Sequence, residues 1–282
     1  MIRSVLVPAD FSPEFNLVAA LADGLPALGV ERVVLGHIVK VTGMDDAAIA
    51  EEVDSARDAI GIAAQPFSRA GLDVEVRIGT GGDLADELIG LAAETHVDAI
   101  VAGSHGKSRV ERLRAGSVSE DVLVNAELPA LMVRYALLNT AHDPADLLRT
   151  FGRTLVLTTD FSEGSTRAFQ AVLDLPVGTV STLFIVHALD PGLEGDELRE
   201  AREVAEDHLR ALVTKAGQKR ISARPVVRQG VPAQVALSEI EDRRATGVVA
   251  GTRGRGALSE EGLGSVSLSL VRQAFCPVLI VH

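Results

Sequence analysis

Aromatic residues are scarce: tryptophan is absent, tyrosine occurs once, and phenylalanine eight times in 282 residues. Interior volume must therefore come from Ala, Val, Leu and Ile, the filling of a sheet covered by helices on both faces. Cysteine also occurs once, as Cys276 in an apolar run before Pro277. A single thiol excludes an internal disulfide or a cysteine-rich zinc site and reads as a buried structural residue. Positive charge is in deficit, with 27 Lys and Arg against 39 Asp and Glu and a formal net charge of −12. Such a chain repels a nucleic-acid backbone, yet a local basic pocket for one nucleotide stays open to it. No run approaches the roughly 18 uncharged apolar residues of a membrane helix. The opening segment from Met1 to Asp10 is too short for a signal-peptide core and ends in an acid. The chain reads as soluble and cytoplasmic.

Hydrophobic residues nevertheless make up 47% of the chain, enough for two packed cores, and the length suits two domains. The sequence repeats itself accordingly. Val5 to Ser12 returns as Leu155 to Ser162, with Asp10-Phe11-Ser12 matched by Asp160-Phe161-Ser162, and His37 returns as His187, both at an offset of 150. Gly103, Gly116 and Pro129 return as Gly251, Gly264 and Pro277 at an offset of 148. Landmarks that keep their order with so little drift mark a domain duplication. Domain 1 is expected over 1–135, a linker over 136–151 with Leu147 and Leu148 packed on one domain, and domain 2 over 152–282.

Within each copy, β-branched runs alternate with helix-period stretches. In the first copy strands are expected over 4–8, 32–41, 73–78, 99–103 and 129–134. Helical stretches are expected over 14–28, 45–70, 83–95 and 116–125, with Gly82-Asp83 capping the third. The second copy follows the same order. Strands separated by helices imply a five-stranded parallel sheet per domain with right-handed crossovers and helices on both faces.

The chemistry lies after the fourth strand of each copy. Gly103-Ser104-His105-Gly106 is followed by nine residues and then Gly116-Ser117; Gly251-Thr252-Arg253-Gly254 is followed by nine residues and then Gly264-Ser265. Glycines leaving a strand let the backbone turn and approach a ligand closely. A Gly-Ser pair opening a helix offers unpaired N–H groups and the positive end of the helix dipole to an anion. Ligands of open α/β sheets bind beyond the carboxyl ends of the strands, where this loop lies. The alternative is that the glycines end strands and the serines cap helices. His37 and His187 read as structural residues, and no residue is assigned a catalytic role or a direct metal bond.

These motifs resemble the universal stress protein family in its tandem-domain form, over nearly all of both copies. The resemblance implies an adenine nucleotide alpha hydrolase-like, Rossmann-like fold. It implies ATP or another adenine nucleotide as ligand, with Mg2+ or Mn2+ carried through the phosphates. It places base and ribose near Pro8, Ala9, Asp10 and Ile38, and phosphates near Gly103, Gly106, Lys107, Gly116, Ser117 and Val118. The matching positions of the second copy are Thr158, Thr159, Asp160, Ala188, Gly251, Gly254, Gly264, Ser265 and Val266. Asp10 and Asp160 read either as ribose acceptors or as turn and cap residues. In the family the last strands pair across two domains. The expectation here is an intrachain pseudo-dimer through 130–134 and 278–281, with further dimerisation of the whole chain.

Four functions compete. A nucleotide-binding regulatory protein, with at most slow ATP hydrolysis and an unidentified protein partner, fits the lack of a general base or nucleophile facing the phosphates. An adenylating ligase or amidotransferase on the same fold would carry a Ser-Gly-Gly type loop after the first strand, and Pro8 to Ser12 lacks it; a Walker loop is also missing. An interaction module that has lost its ligand suits the second copy better than the first, and flavin-dependent electron transfer is weaker still. The copies differ in charge. From Ser104 to Ser117, Lys107, Arg109, Arg112 and Arg114 oppose Glu111 for a net +3, whereas from Thr252 to Ser265, Arg253 and Arg255 balance Glu260 and Glu261. The first copy is expected to bind a triphosphate more tightly.

Overall fold

A computed structural model describes residues 2–105, 118–252 and 263–282, the side chains of 118–120 excepted. Gly106, Lys107, Gly116, Ser117 and Gly254 lie outside the described residues. The chain forms two units, Met1–Leu148 and Arg149–His282.

In the first unit the strands are β1 (Ser4–Pro8), β2 (Arg32–Lys40), β3 (Asp73–Gly81), β4 (Ala99–Ser104) and β5 (Ala130–Arg134). They lie in the order β3-β2-β1-β4-β5, and each neighbouring pair is parallel. The strand centres are buried because helices cover the sheet. Leu6, Val34 and Ile100 pack with Leu88, Leu91 and Ala92 of α4 (Leu84–Glu94) and with Val122 of α5 (Val118–Asn125). Strand neighbours such as Val5, Val33 and Val101 therefore point to the opposite face, and they are equally buried.

Two expected long helices are each divided, and a proline lies in the second part of each. The stretch 14–28 divides into α1 (Pro13–Ala19) and a 3-10 segment over Ala22–Leu28 that contains Pro26. Proline removes a donor and clashes with the preceding turn. The stretch 45–70 likewise divides into α2 (Asp46–Ala63) and α3 (Gln65–Arg69), with Pro66 in the first turn of α3. Asp83 caps α4, its carboxylate accepting from the N–H groups of Ala85 and Asp86.

Residues after β5 form α6 (Tyr135–Thr140) and α7 (Ala145–Arg149). Leu138, Ala145 and Leu148 are buried, whereas Leu147 is half-buried. Gly24 permits that docking, since a Cβ there would lie 2.8 Å from the Cβ of Leu148 and overlap the carbonyl of Ala145.

The second unit repeats the plan with β6 (Thr154–Thr158), α8 (Glu163–Leu173), β7 (Thr182–Leu189), α9 (Gly195–Gln218), β8 (Ser222–Gln229), α10 (Pro232–Asp242), β9 (Gly247–Gly251), α11 (Ser265–Gln273) and β10 (Val278–Val281). Its strand order is β10-β9-β6-β7-β8, again parallel throughout. Cys276 is buried, which pushes its thiol up to about 12. No helix among the described residues is long and apolar enough to cross a membrane.

Candidate functional site

The strand order reverses between β1 and β4, and a crevice opens at such a point beyond the carboxyl ends. Register decides which residues meet there. Leu6 is paired with Ile100, so three residues further along both strands bring Ala9 beside Gly103. In the second unit Leu157 is paired with Val249, which brings Thr159 beside Gly251.

One local arrangement occurs in both units. The Ala9 N–H donates to the Gly36 carbonyl at 2.8 Å, and the His37 Nδ1–H returns a bond to the Ala9 carbonyl at 2.6 Å. A carbonyl only accepts, so Nδ1 carries the proton. Phe11 follows in a left-handed conformation, φ 57°, and its ring stacks on His37 at 4.4 Å. Thr159, His187 and Phe161 repeat this with a 2.8 Å bond, φ 62° and a ring separation of 4.5 Å. The histidines are therefore clamps on the end of the first strand.

The carboxylate of Asp10 accepts from the Ser12 N–H at 3.0 Å and its hydroxyl at 2.7 Å, and Asp160 accepts from the Ser162 N–H at 3.1 Å. Both aspartates thus close a turn, one of the two roles expected of them. The helix cap itself is Ser12, which accepts from the Phe15 N–H at 3.1 Å, and Ser162 takes the same part for Ser165.

In the first unit these elements surround a cavity of about 190 Å3. Pro8, Ala9, Asp10, Ile38 and Gly103 line it, all named from the sequence. The apolar walls had not been foreseen: Phe15 and Val18 of α1, Leu84 and Leu88 of α4, and Val122 of α5. Their helical i, i+3 and i+4 spacings were the available signal. Tyr135 falls at the expected domain boundary, a position with no motif to mark it as part of a site. It lines the same cavity and lies directly on Gly103, where a Cβ would stand 2.6 Å from the hydroxyl oxygen and overlap the ring. Its ring also meets that of His105 at 4.6 Å. Burial, together with the negative charges of Asp10 and Glu14, pushes the phenol up to about 12.

In the second unit Thr158, Thr159, Asp160 and Ala188 stand at the matching carboxyl ends. Gly251 is covered differently, because a Cβ would lie 2.6 Å from the carbonyl carbon of Gly164 and 3.0 Å from the Ser165 nitrogen. Backbone of the first turn of α8 covers this glycine. Thr159 is buried, its hydroxyl bonded to that of Ser165 at 3.0 Å. The two ends of the glycine loop are tied together: the Gly264 N–H donates to the Thr252 carbonyl at 2.7 Å, and the Ser267 hydroxyl donates to the Gly251 carbonyl at 2.6 Å. Gly264 is the N-cap of α11, so Ser265 and Val266 form its first turn. In the first unit Val118 opens α5.

Two units with parallel strands in this order, each with a glycine-rich segment after its fourth strand in sequence, define a tandem doubly wound α/β protein. The profile of the Universal stress protein family matches residues 1–134 and again 152–282, and the chain belongs to that family. Among its relatives, universal stress protein YxiE of Bacillus subtilis (strain 168) is 30% identical over 146 residues, which are 45% of this chain and 97% of the relative. A universal stress protein from Thermus aquaticus is 31% identical over 137 residues, 46% of this chain and 98% of the relative. Each is thus matched almost whole by about half of this chain. The crystal structure of a universal stress protein from Archaeoglobus fulgidus DSM 4304 superimposes with a TM-score of 0.74 at 26% identity, covering 99% of this chain and 95% of that one.

Proposed function

We propose that the first unit binds an adenine nucleotide, with ATP as the expected ligand, and that the protein acts through occupancy of that site rather than through turnover. The observation that carries this reading is the cavity at the switch point. There Ala9 and Asp10 directly follow β1, Ile38 lies near the end of β2, and Gly103 lies near the end of β4. Ile38, Leu88 and Val122 offer apolar walls to a base, and Asp10 stands at the surface where a ribose could bond to it. Gly106, Gly116, Ser117 and Val118 would supply phosphate contacts from amides and a hydroxyl at the start of α5. Lys107 would add a cation. Bound nucleotide would order the glycine segment and change what a partner meets, and a divalent cation would arrive with the phosphates.

Two differences favour the first unit over the second. The segment from Ser104 to Ser117 carries a net +3 where its counterpart is neutral. Gly103 is covered by a side chain that can rotate, whereas Gly251 is covered by helix backbone. Thr158, Thr159, Asp160, Ala188, Gly251, Gly254, Gly264, Ser265 and Val266 then form a weaker site.

The test is mass spectrometry of nucleotide released from the purified protein, with calorimetry using MgATP and Gly116→Glu as control. An adenine nucleotide released from the wild type but not from Gly116→Glu supports the reading. Purified protein free of nucleotide that also gives no heat with millimolar MgATP overturns it.

A further inference from the structure

We propose that Tyr135 makes the first-unit site discriminate between ligands with and without phosphates: its phenol end covers Gly103, and a polyphosphate must displace it whereas a nucleoside need not. This inference rests on the nucleotide reading above.

The phenol end of the ring lies where any side chain on residue 103 would have to be. A phosphate approaching the amides at the end of β4 needs that same space. The apolar side chains that would meet a base, Ile38, Leu88 and Val122, line the same cavity as Tyr135, and it is the phenol end of Tyr135 that covers Gly103. Tyr135 is the first residue of α6 and is half-buried, so its side chain can swing out without unfolding the sheet. Asp10 and Glu14 both act on the phenol electrostatically. These carboxylates favour the neutral hydroxyl over an incoming anion at this place. Covering therefore taxes ligands that carry phosphates and spares those that do not, because apparent affinity falls with the fraction of molecules in the competent state.

The chain supplies its own reporter, since Tyr135 is the only tyrosine and there is no tryptophan. Tyrosine emission of the intact protein and its quenching by acrylamide would be followed while MgATP or adenosine is added. Calorimetry on the wild type, Tyr135→Phe and Tyr135→Ala would run alongside. Quenching should rise with MgATP and stay unchanged with adenosine. Tyr135→Ala should bind MgATP roughly tenfold more tightly, as expected if about one molecule in ten is open. Adenosine affinity should not change, and Tyr135→Phe, which keeps the ring, should resemble the wild type. MgATP binding with unchanged tyrosine quenching overturns the proposal, as does binding that shields the tyrosine further. Should Tyr135→Ala fail to fold, the quenching of the wild type still decides. Failure of both wild type and Tyr135→Ala to bind MgATP would remove the nucleotide reading and this inference together. Binding with a silent tyrosine removes this inference alone.

Discussion

The Nδ1–H of His37 donates to the carbonyl oxygen of Ala9 at 2.6 Å, and this bond fixes the chain just after β1, where both residues line the cavity. It also explains how Phe11 keeps a left-handed backbone that costs a side-chain-bearing residue about 1–2 kcal/mol. The stacked histidine ring offsets that cost.

His37→Ala should therefore lower stability by about 2 kcal/mol, combining one hydrogen bond of ~1 kcal/mol with a ring contact of similar size. It should also weaken any ligand of the first unit. Urea denaturation reads the first effect, and an unchanged midpoint would contradict the clamp.

Gly251→Ala and Gly103→Ala should differ in cost. At Gly251 the new methyl meets the backbone of Gly164 and Ser165, so α8 itself must shift, at roughly 1–3 kcal/mol or more. At Gly103 it meets the Tyr135 ring, which can rotate away at a smaller cost. Equal losses in thermal denaturation would argue against this distinction. Gly103→Ala should also leave Tyr135 more open to acrylamide.

The single tyrosine makes a pH titration unambiguous. Burial first, and then the charges of Asp10 and Glu14, raise its pKa from 10.0 to about 12. An acid whose folded pKa is raised contributes stability below its unfolded value, and that stability is lost as pH climbs from 10 toward 12. Absorbance at the phenolate band should thus show a late transition, and Asp10→Asn should move it downward. A normal titration near 10 in the native protein would exclude the described environment.

Glu239 is a buried acid of the second unit, only 2% exposed, and accepts from Arg228 Nε at 2.9 Å and Arg243 Nε at 3.1 Å. Replacing both arginines with methionine leaves a buried charge without these partners and should cost about 3 kcal/mol or more. Adding Glu239→Leu should restore most of that loss, since an apolar replacement of a buried ion pair is often neutral. Chemical denaturation of the three proteins measures it, and a triple variant no better than the double would refute the account.

Much of this protein is legible in one dimension. Duplication follows from repeated landmarks, and the βα alternation from periodicities that report how each segment meets a core. Pro26 and Pro66 were equally visible as residues. They mattered only because proline's lost donor falls inside an otherwise periodic stretch. Gly103 and Gly251 could be placed at strand ends from spacing alone.

What covers those glycines could not. Tyr135 reaches Gly103 only because β5, which it directly follows, lies beside β4. Gly251 meets Gly164 only because β6 and β9 are neighbours and α8 crosses them. Local order was determined by side-chain periodicity and by the steric habits of glycine and proline, which act between near neighbours in sequence. The strand order, the histidine clamps and the contrast between a rotatable and a fixed cover were decided by tertiary packing, because they depend on contacts between residues far apart in the chain.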